Sequence, residues 1–428
     1  MTLYLKNALH IDWKTLNFKE AHIAVSTLKE DSLKLIEQLP PADELAKQDT
    51  ILDCRGKLVT RAFGCGHHHI YSTLARGMPA PLKTPRNFVE KLEYVWWHID
   101  KNLDLEMIQA SALASALFCA KNGVTFVVDH HASPFSVKGS LATIRDAFDA
   151  VGISHLLCYE ISDRDGETST LEGLAETDEY LSGGNQGLVG LHASFTVGDN
   201  TLGKAVELAT KHNSGIHIHV AEDQADQKQC LETHQKRVIE RLSASGALKL
   251  PKTILGHCIH LDKTEQNLLK DSNAWVVENV ESNLNNNVGL ANYGLYGDRI
   301  MLGTDGMHSD MLRSAKAAFF VGQTTEGIDF PGIYQRFRNV HAYLESNGFK
   351  GDSDNNLVVL DYDPPTEITA DNFLGHFLFG LDSRHVESVI SNGKLIVKEG
   401  ELQTMDEAEI LTFAREMGTK LWEKLKRK

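Results

Sequence analysis

The chain has 428 residues, 43 Lys plus Arg against 58 Asp plus Glu, and a formal net charge of −15; 42% of it is hydrophobic and 24% charged. That composition excludes intrinsic disorder, and the acidic balance excludes non-specific nucleic-acid binding because the chain repels phosphate. Its one excess is histidine, 20 in all, the common neutral metal ligand and the side chain that titrates near pH 7.

The first 58 or so residues read as short strands and turns: LYLKNALHI, HIAVST, LKLIEQ and TILDCRGKLVT. Their N-terminus, MTLYLKNALHIDWKTL, lacks a basic segment followed by an apolar stretch and a small-residue cleavage site. No run reaches the ~18 apolar residues that span a bilayer. The six cysteines form no C-x-x-C pair, so reduced thiols in a cytoplasmic protein without a membrane segment are expected.

From residue 60 to 305 the texture changes. Eight apolar runs each end in a polar residue: LVTRAFGCG at His67 and His69, TFVVD at His130, SHLLCY at Glu160, GLVGL at His192, GIHIH before Glu222, TILG at His257, AWVVE at Asn279 and IMLGT at Asp305. Helical stretches such as EMIQASALASALFCAKN, SLATIRDAFDAVG and TLGKAVELATKH separate several of them. Strands buried on both faces and alternating with helices imply a parallel sheet, and eight of them imply an α/β fold of the (β/α)8 TIM-barrel type. Such barrels carry their active site where the strands' C-terminal ends meet.

The tail returns to β-runs, NNLVVLDY and then VESVISNGKLIVKEGEL with an Asn392-Gly393 hairpin turn, before an amphipathic helix, DEAEILTFAREMGTKLWEKLKRK. Neither β-rich end can bury a core alone. The expected organisation is a barrel over 59–352 and a small composite β-sandwich built from 1–58 and 353–428.

The strand ends carry the chemistry. His67 and His69 are two apart, so on a strand both point to one side. With His219 and Asp305 they supply three imidazoles and a carboxylate, a catalytic-type set for one Zn2+ or Fe2+. His68 points away, and His217 lies one layer beneath His219. A metal lowers the pKa of water to about 7, and Glu222, three residues after His219, suits the base that takes its proton and hands it to a leaving nitrogen. His257 suits an electrostatic stabiliser, and Asp305 can accept a proton as well as ligate. The fourth run ends in His192 and has no lysine to be carboxylated as a bridge between two ions, so a single ion is expected.

GHHHIYSTLARG (66–77), HIHVAED (217–223), LGHCIHLD (255–262) and GTDG (303–306) resemble the amidohydrolase superfamily, in its chlorohydrolase/cytosine-deaminase-like (ATZ/TRZ) branch. DHHASP, CYEISDRDG, LHASFT, ESNLNNNVG and DYDPPTEITADNFLGHFLFG are similar to SsnA-type aminohydrolases. The resemblance spans essentially the whole chain. It implies metal ligation by His67, His69, His219 and Asp305, a proton shuttle at Glu222, catalytic roles for His257 and Asp305, and substrate contact by His192. It implies hydrolytic release of ammonia from a purine- or pyrimidine-like ring, and a dimer or larger homo-oligomer. Two departures stand out: Arg61-Ala62 precedes the first metal motif where relatives have Pro-Gly, and Glu278-Asn279-Val280 replaces His-Asn-Pro. Glu278 either faces the substrate or lies in a helix interface.

Further substrate contacts are expected from Arg76, His130, Trp96, Ser282 and Asn283, with Trp97, Glu160 and Phe195 as neighbours on the rim. For Arg76 a structural ion pair is an equal reading, and of His130 and His131 only one can face inward. Opening of a cyclic amide or removal of halide would use the same residues, and a non-catalytic scaffold is the third reading.

Overall fold

The first terminal strand is half-buried and alternates in exposure. In the computed structural model, which describes residues 2–27 and 33–426, β1 (Thr2–Ile11) buries Leu3, Leu5, Ala8 and Ile11. A bulge between Leu5 and Ala8, with Asn7 at φ 59°, shifts its period. β2 (Phe18–Ser26), β3 (Leu33–Ile36), β4 (Thr50–Asp53) and β5 (Leu58–Arg61) follow.

The next eight strands lie inside the protein. They are β6 (Phe63–His68), β7 (Val124–His131), β8 (Ser154–Tyr159), β9 (Val189–Ala193), β10 (Ile216–Val220), β11 (Ile254–His257), β12 (Trp275–Glu278) and β13 (Ile300–Leu302). All eight residues of β7 and all five of β10 are buried, as expected of strands covered on both faces. They pair in parallel as β6-β7-β8 and β9-β10-β11-β12-β13. Parallel bridges link the two sheets at both ends, Leu157 to Gly187 and Ile161 to Leu191 on one side and His68 to Asp305 on the other. The expected helices form at Leu105–Lys121, Ser140–Val151 and Asp199–Lys211.

β14 (Leu357–Leu360), β15 (Val386–Ser391), β16 (Lys394–Lys398) and β17 (Glu401–Leu402) return to the terminal strands. Among the described residues, both termini join in one nine-stranded mixed sheet, ordered β17-β16-β15-β14-β5-β1-β2-β3 with β4 also on β1. Asn392 (φ 49°) and Gly393 (φ 75°) form the hairpin turn with the two positive φ angles it requires. β5 crosses the boundary expected at 58/59: the run LVTRAFGCG is two strands, broken at Ala62. Leu58–Arg61 pairs with β14, and Phe63 onward pairs with β7. The terminal helix spans Glu407–Leu425, and residues 427–428 of the predicted segment lie outside the described residues. Among the described residues, no single helix is long and apolar enough to cross a membrane.

Candidate active site

Three histidines and a carboxylate converge at the strand ends. His219 Nε2 lies 3.1 Å from His69 Nε2 and 3.3 Å from His67 Nε2. Asp305 Oδ1 lies 3.2 Å from His69 Nε2 and 3.9 Å from His67 Nε2. Donors at 2.0–2.1 Å around a tetrahedral ion stand about 3.3 Å apart, so the spacing matches the edges of such a site.

Each imidazole is aimed by its other nitrogen. His67 Nδ1 meets His217 Nε2 at 2.9 Å, His69 Nδ1 donates to His130 O at 2.6 Å, and His219 Nδ1 donates to His192 O at 2.8 Å. That leaves all three Nε2 atoms turned inward, as metal-ligating histidines require. Asp305 (φ 51°), Ala221 (φ 44°), His257 (φ 65°) and Cys258 (φ 54°) adopt left-handed backbone. Non-glycine residues take that conformation at a cost, and the cluster marks where the eighth, fifth and sixth strands of this inner set turn their side chains to the rim.

Burial drives the electrostatics. It holds His67 well below the ordinary imidazole range, with the neighbouring His69, His217 and His219 adding to the effect, and His219 is lowered in the same way. Burial also disfavours charge on His69, but its hydrogen bond to Asp305 prevails and raises it to about 9. Asp305 falls below the usual carboxylate range because the surrounding imidazoles outweigh its burial.

A second group sits beside the first. His257 Nε2 lies 3.4 Å from Glu222 Oε2 and 3.6 Å from Asp305 Oδ2. That Nε2 is buried and has no hydrogen-bond partner among the described residues, while Nδ1 donates to Asn283 Oδ1 at 2.7 Å and Tyr293 OH donates to the His257 carbonyl. Asn286 Nδ2 donates to Glu222 Oε1 at 3.1 Å. Burial raises Glu222 above the ordinary carboxylate range, partly countered by His257.

Above these groups opens a cleft of about 750 Å³, lined by His69, His219, Glu222 and Asp305 at its base and by Phe88, Leu92, Trp96 and Trp97 on one wall. Trp96, Ser282 and His192, expected to contact substrate, line it, as do Trp97, Glu160 and Phe195. Three expected contacts do not. Arg76 stacks over the Phe118 ring at 5.0 Å. His130 is fully buried between Glu160 Oε2 and the His217 carbonyl. Asn283 stands behind His257.

Glu278 belongs to a helix interface, its carboxylate 3.1 Å from Arg336 on the helix Phe330–Ser346. His68 turns to Ser309 Oγ, and His131 to Ser133 Oγ. The expected substrate contacts omitted Arg164, Phe88, Leu92 and Asn286. The i, i+4, i+8 spacing of Phe88, Leu92 and Trp96 signals one apolar helix face, though not that the face meets the cleft.

The amidohydrolase family profile matches residues 58–330. The chain belongs to the amidohydrolase family. Among curated relatives, this amidohydrolase is 25% identical over 401 residues to the 5'-deoxyadenosine deaminase of Methanococcus vannielii, covering 88% of this chain and 92% of that one. It is 26% identical over 401 residues to the 5-methylthioadenosine/S-adenosylhomocysteine deaminase of Syntrophomonas wolfei, covering 87% and 89%. A crystal structure of an adenosine deaminase from Xanthomonas campestris with bound zinc superposes with a TM-score of 0.82 at 18% identity, covering 98% of each chain. That likeness establishes a shared α/β fold of the TIM-barrel type.

Proposed function

We propose that this chain is a mononuclear metal-dependent deaminase that releases ammonia from an amino-substituted, purine- or pyrimidine-like heterocycle. The observation that carries this reading is the convergence of His67, His69, His219 and Asp305 donors, 3.1–3.9 Å apart, next to the Glu222–His257 pair. Those four residues would hold the ion, and their three nitrogens and one oxygen suit zinc, with ferrous iron as the alternative. When bound, such an ion supplies the Lewis acidity that brings the pKa of a water down to about 7.

The remaining steps belong to the chain's own residues. Glu222 Oε2 takes the proton of the attacking water and delivers it to the amino nitrogen, which leaves as ammonia while the ring carbon keeps the oxygen. His257, its Nδ1 donating to Asn283 Oδ1, keeps Nε2 beside that carboxylate, where its lone pair accepts from the attacking water and orients it. Trp96, Trp97, Phe88 and Leu92 offer the flat apolar wall that a ring needs. The similarity to deaminases of adenosine derivatives over most of the chain supports the reaction class.

The same reading takes the inner strands β6–β13 and their helices as a closed (β/α)8 barrel, with the bridges at both ends of the two parallel sheets as its seams. The strands of both termini, β1–β5 and β14–β17, then form a composite β-sandwich domain. The test is a screen of zinc-loaded protein for ammonia release from aminopurines, adenine nucleosides, aminopyrimidines and aminopterins, with mass analysis of the product. Exchange of an amino group for oxygen on an intact ring is expected. Ring opening to a new carboxylate, release of halide, or no turnover across the set overturns the deaminase reading.

A further inference from the structure

Beside the groups at its base, the cleft is lined by two further acceptors, Glu160 and His192. Glu160 follows β8 and His192 lies in β9, and both line the cleft although each is less than a tenth exposed. Thr196 Oγ1 has a single hydrogen, which it donates to Ala193 O at 3.1 Å. With that hydrogen on Ala193, the oxygen accepts from His192 Nδ1 at 2.6 Å; in that arrangement Nδ1 carries the proton and Nε2 presents a lone pair. That Nε2 is 3.9 Å from Glu160 Oε1, which is too long for a hydrogen bond.

Glu160 is itself anchored. Its Oε2 accepts from His130 Nδ1 at 3.0 Å, and Arg164 Nη1 lies 3.4 Å from its Oε1. The Arg164 guanidinium lines the cleft but is already bound by Asp100, Asp165 and Glu160. Glu222, Asp223, Asp226 and Asp305 add further carboxylates to the lining.

We propose that Glu160 and His192 form a two-acceptor subsite that selects a substrate edge bearing two neighbouring N–H or O–H donors and rejects an anionic substituent. The inference rests on the proposed function in taking this cleft as the substrate site, and it adds the chemistry of the substrate edge remote from the reacting carbon. Buried acceptors left without donors cost binding, so a ligand lacking them is discriminated against strongly. The donors can come from a vicinal diol on a sugar or from adjacent N–H groups on a ring.

Binding tests the proposal independently of turnover. Zinc-loaded Glu222→Gln protein is titrated calorimetrically with adenosine, 2',3'-dideoxyadenosine, adenosine 5'-monophosphate, 8-aminoadenine and 8-amino-9-methyladenine. The adenosine pair reports the diol, and the 8-aminoadenine pair reports the adjacent ring N–H and amino group across the ring from the reacting C6. In at least one pair the parent is expected to bind about tenfold or more tightly than its donor-deleted partner. That ratio is expected to fall to about threefold or less when Thr196→Val releases the His192 ring, or when Glu160→Gln turns one acceptor into a donor.

The monophosphate is expected to bind at least about tenfold more weakly than adenosine. Failure of both parents to bind, ratios near one in both pairs, or ratios unchanged in both second-site variants overturns the proposal. Loss of zinc from Glu160→Gln also overturns it, since Glu160 would then be holding the ion. Ammonia release by the unsubstituted protein, read separately, reports on the proposed function alone.

Discussion

His257 and Glu222 have complementary surroundings. The histidine is fixed from behind, at Nδ1 by Asn283 and at its carbonyl by Tyr293, and its only open atom is Nε2. The glutamate is steadied by Asn286 and raised by burial, which suits a group that must take up and release a proton. Glu222→Gln is expected to keep its metal while turnover falls by about 10²–10⁴, whereas His219→Ala is expected to lose the metal. Metal content and rate measured on both variants check this pair, and an active Glu222→Gln enzyme contradicts the shuttle role. The alternation of His67 and His69 and the strand-end position of Asp305 were legible in the sequence because period-2 geometry is local. The retreat of His130 and Asn283 behind the wall was not, since it depends on Glu160, the His217 carbonyl and His257 on other elements.

At the level of elements, the decisive contact lies between β8 and β9. Gly190 sits where a Cβ would come within 2.3 Å of Tyr159 O and 3.0 Å of Cys158 Sγ. Gly190→Ala is expected to force the two strands apart, at about 1–3 kcal/mol by urea denaturation. It should also weaken metal binding, because Cys158 lies 3.6 Å from His217 Nδ1 and His217 braces His67. At the other side of the inner strands, Glu278 ends β12 and packs against Arg336. Burial pushes its carboxyl up to about 7 despite that partner. Between the ordinary value near 4.5 and about 7, the folded chain holds a proton that the unfolded chain has released. The resulting stabilisation is present at lower pH and is lost as pH rises through about 7. Melting temperatures from pH 5 to 8 are expected to fall more steeply for the unsubstituted protein than for Glu278→Gln. The sequence allowed either a pocket wall or a helix interface at this position, and only the packing of Phe330–Ser346 chose between them.

Across the whole molecule, the proposed ligand set is assembled from strands far apart in sequence: His67 and His219 are 152 residues apart, and His69 and His219 are 150 apart. A metal bound only by the folded arrangement stabilises it by mass action, about 4 kcal/mol at a thousand times its dissociation constant. Chelation is therefore expected to lower the melting temperature and zinc to restore it, and a melting temperature indifferent to both contradicts the assignment of these four residues. The C-terminal helix Glu407–Leu425 reaches the same region, with Trp422 Nε1 donating to the carbonyl of Leu74, a few residues after His69.

By itself the sequence determined the rhythm of buried strands and helices, the polar residues ending each strand, and the contribution of both termini to one β unit. These properties follow from short-range periodicity and from the burial that each run demands. Tertiary structure alone decided which histidines face the centre and which brace them, why Glu278 turns to a helix, and how Glu160 and His192 come to share one space. A side chain's partner on another strand is set by packing and register between distant segments, and local pattern carries no record of it.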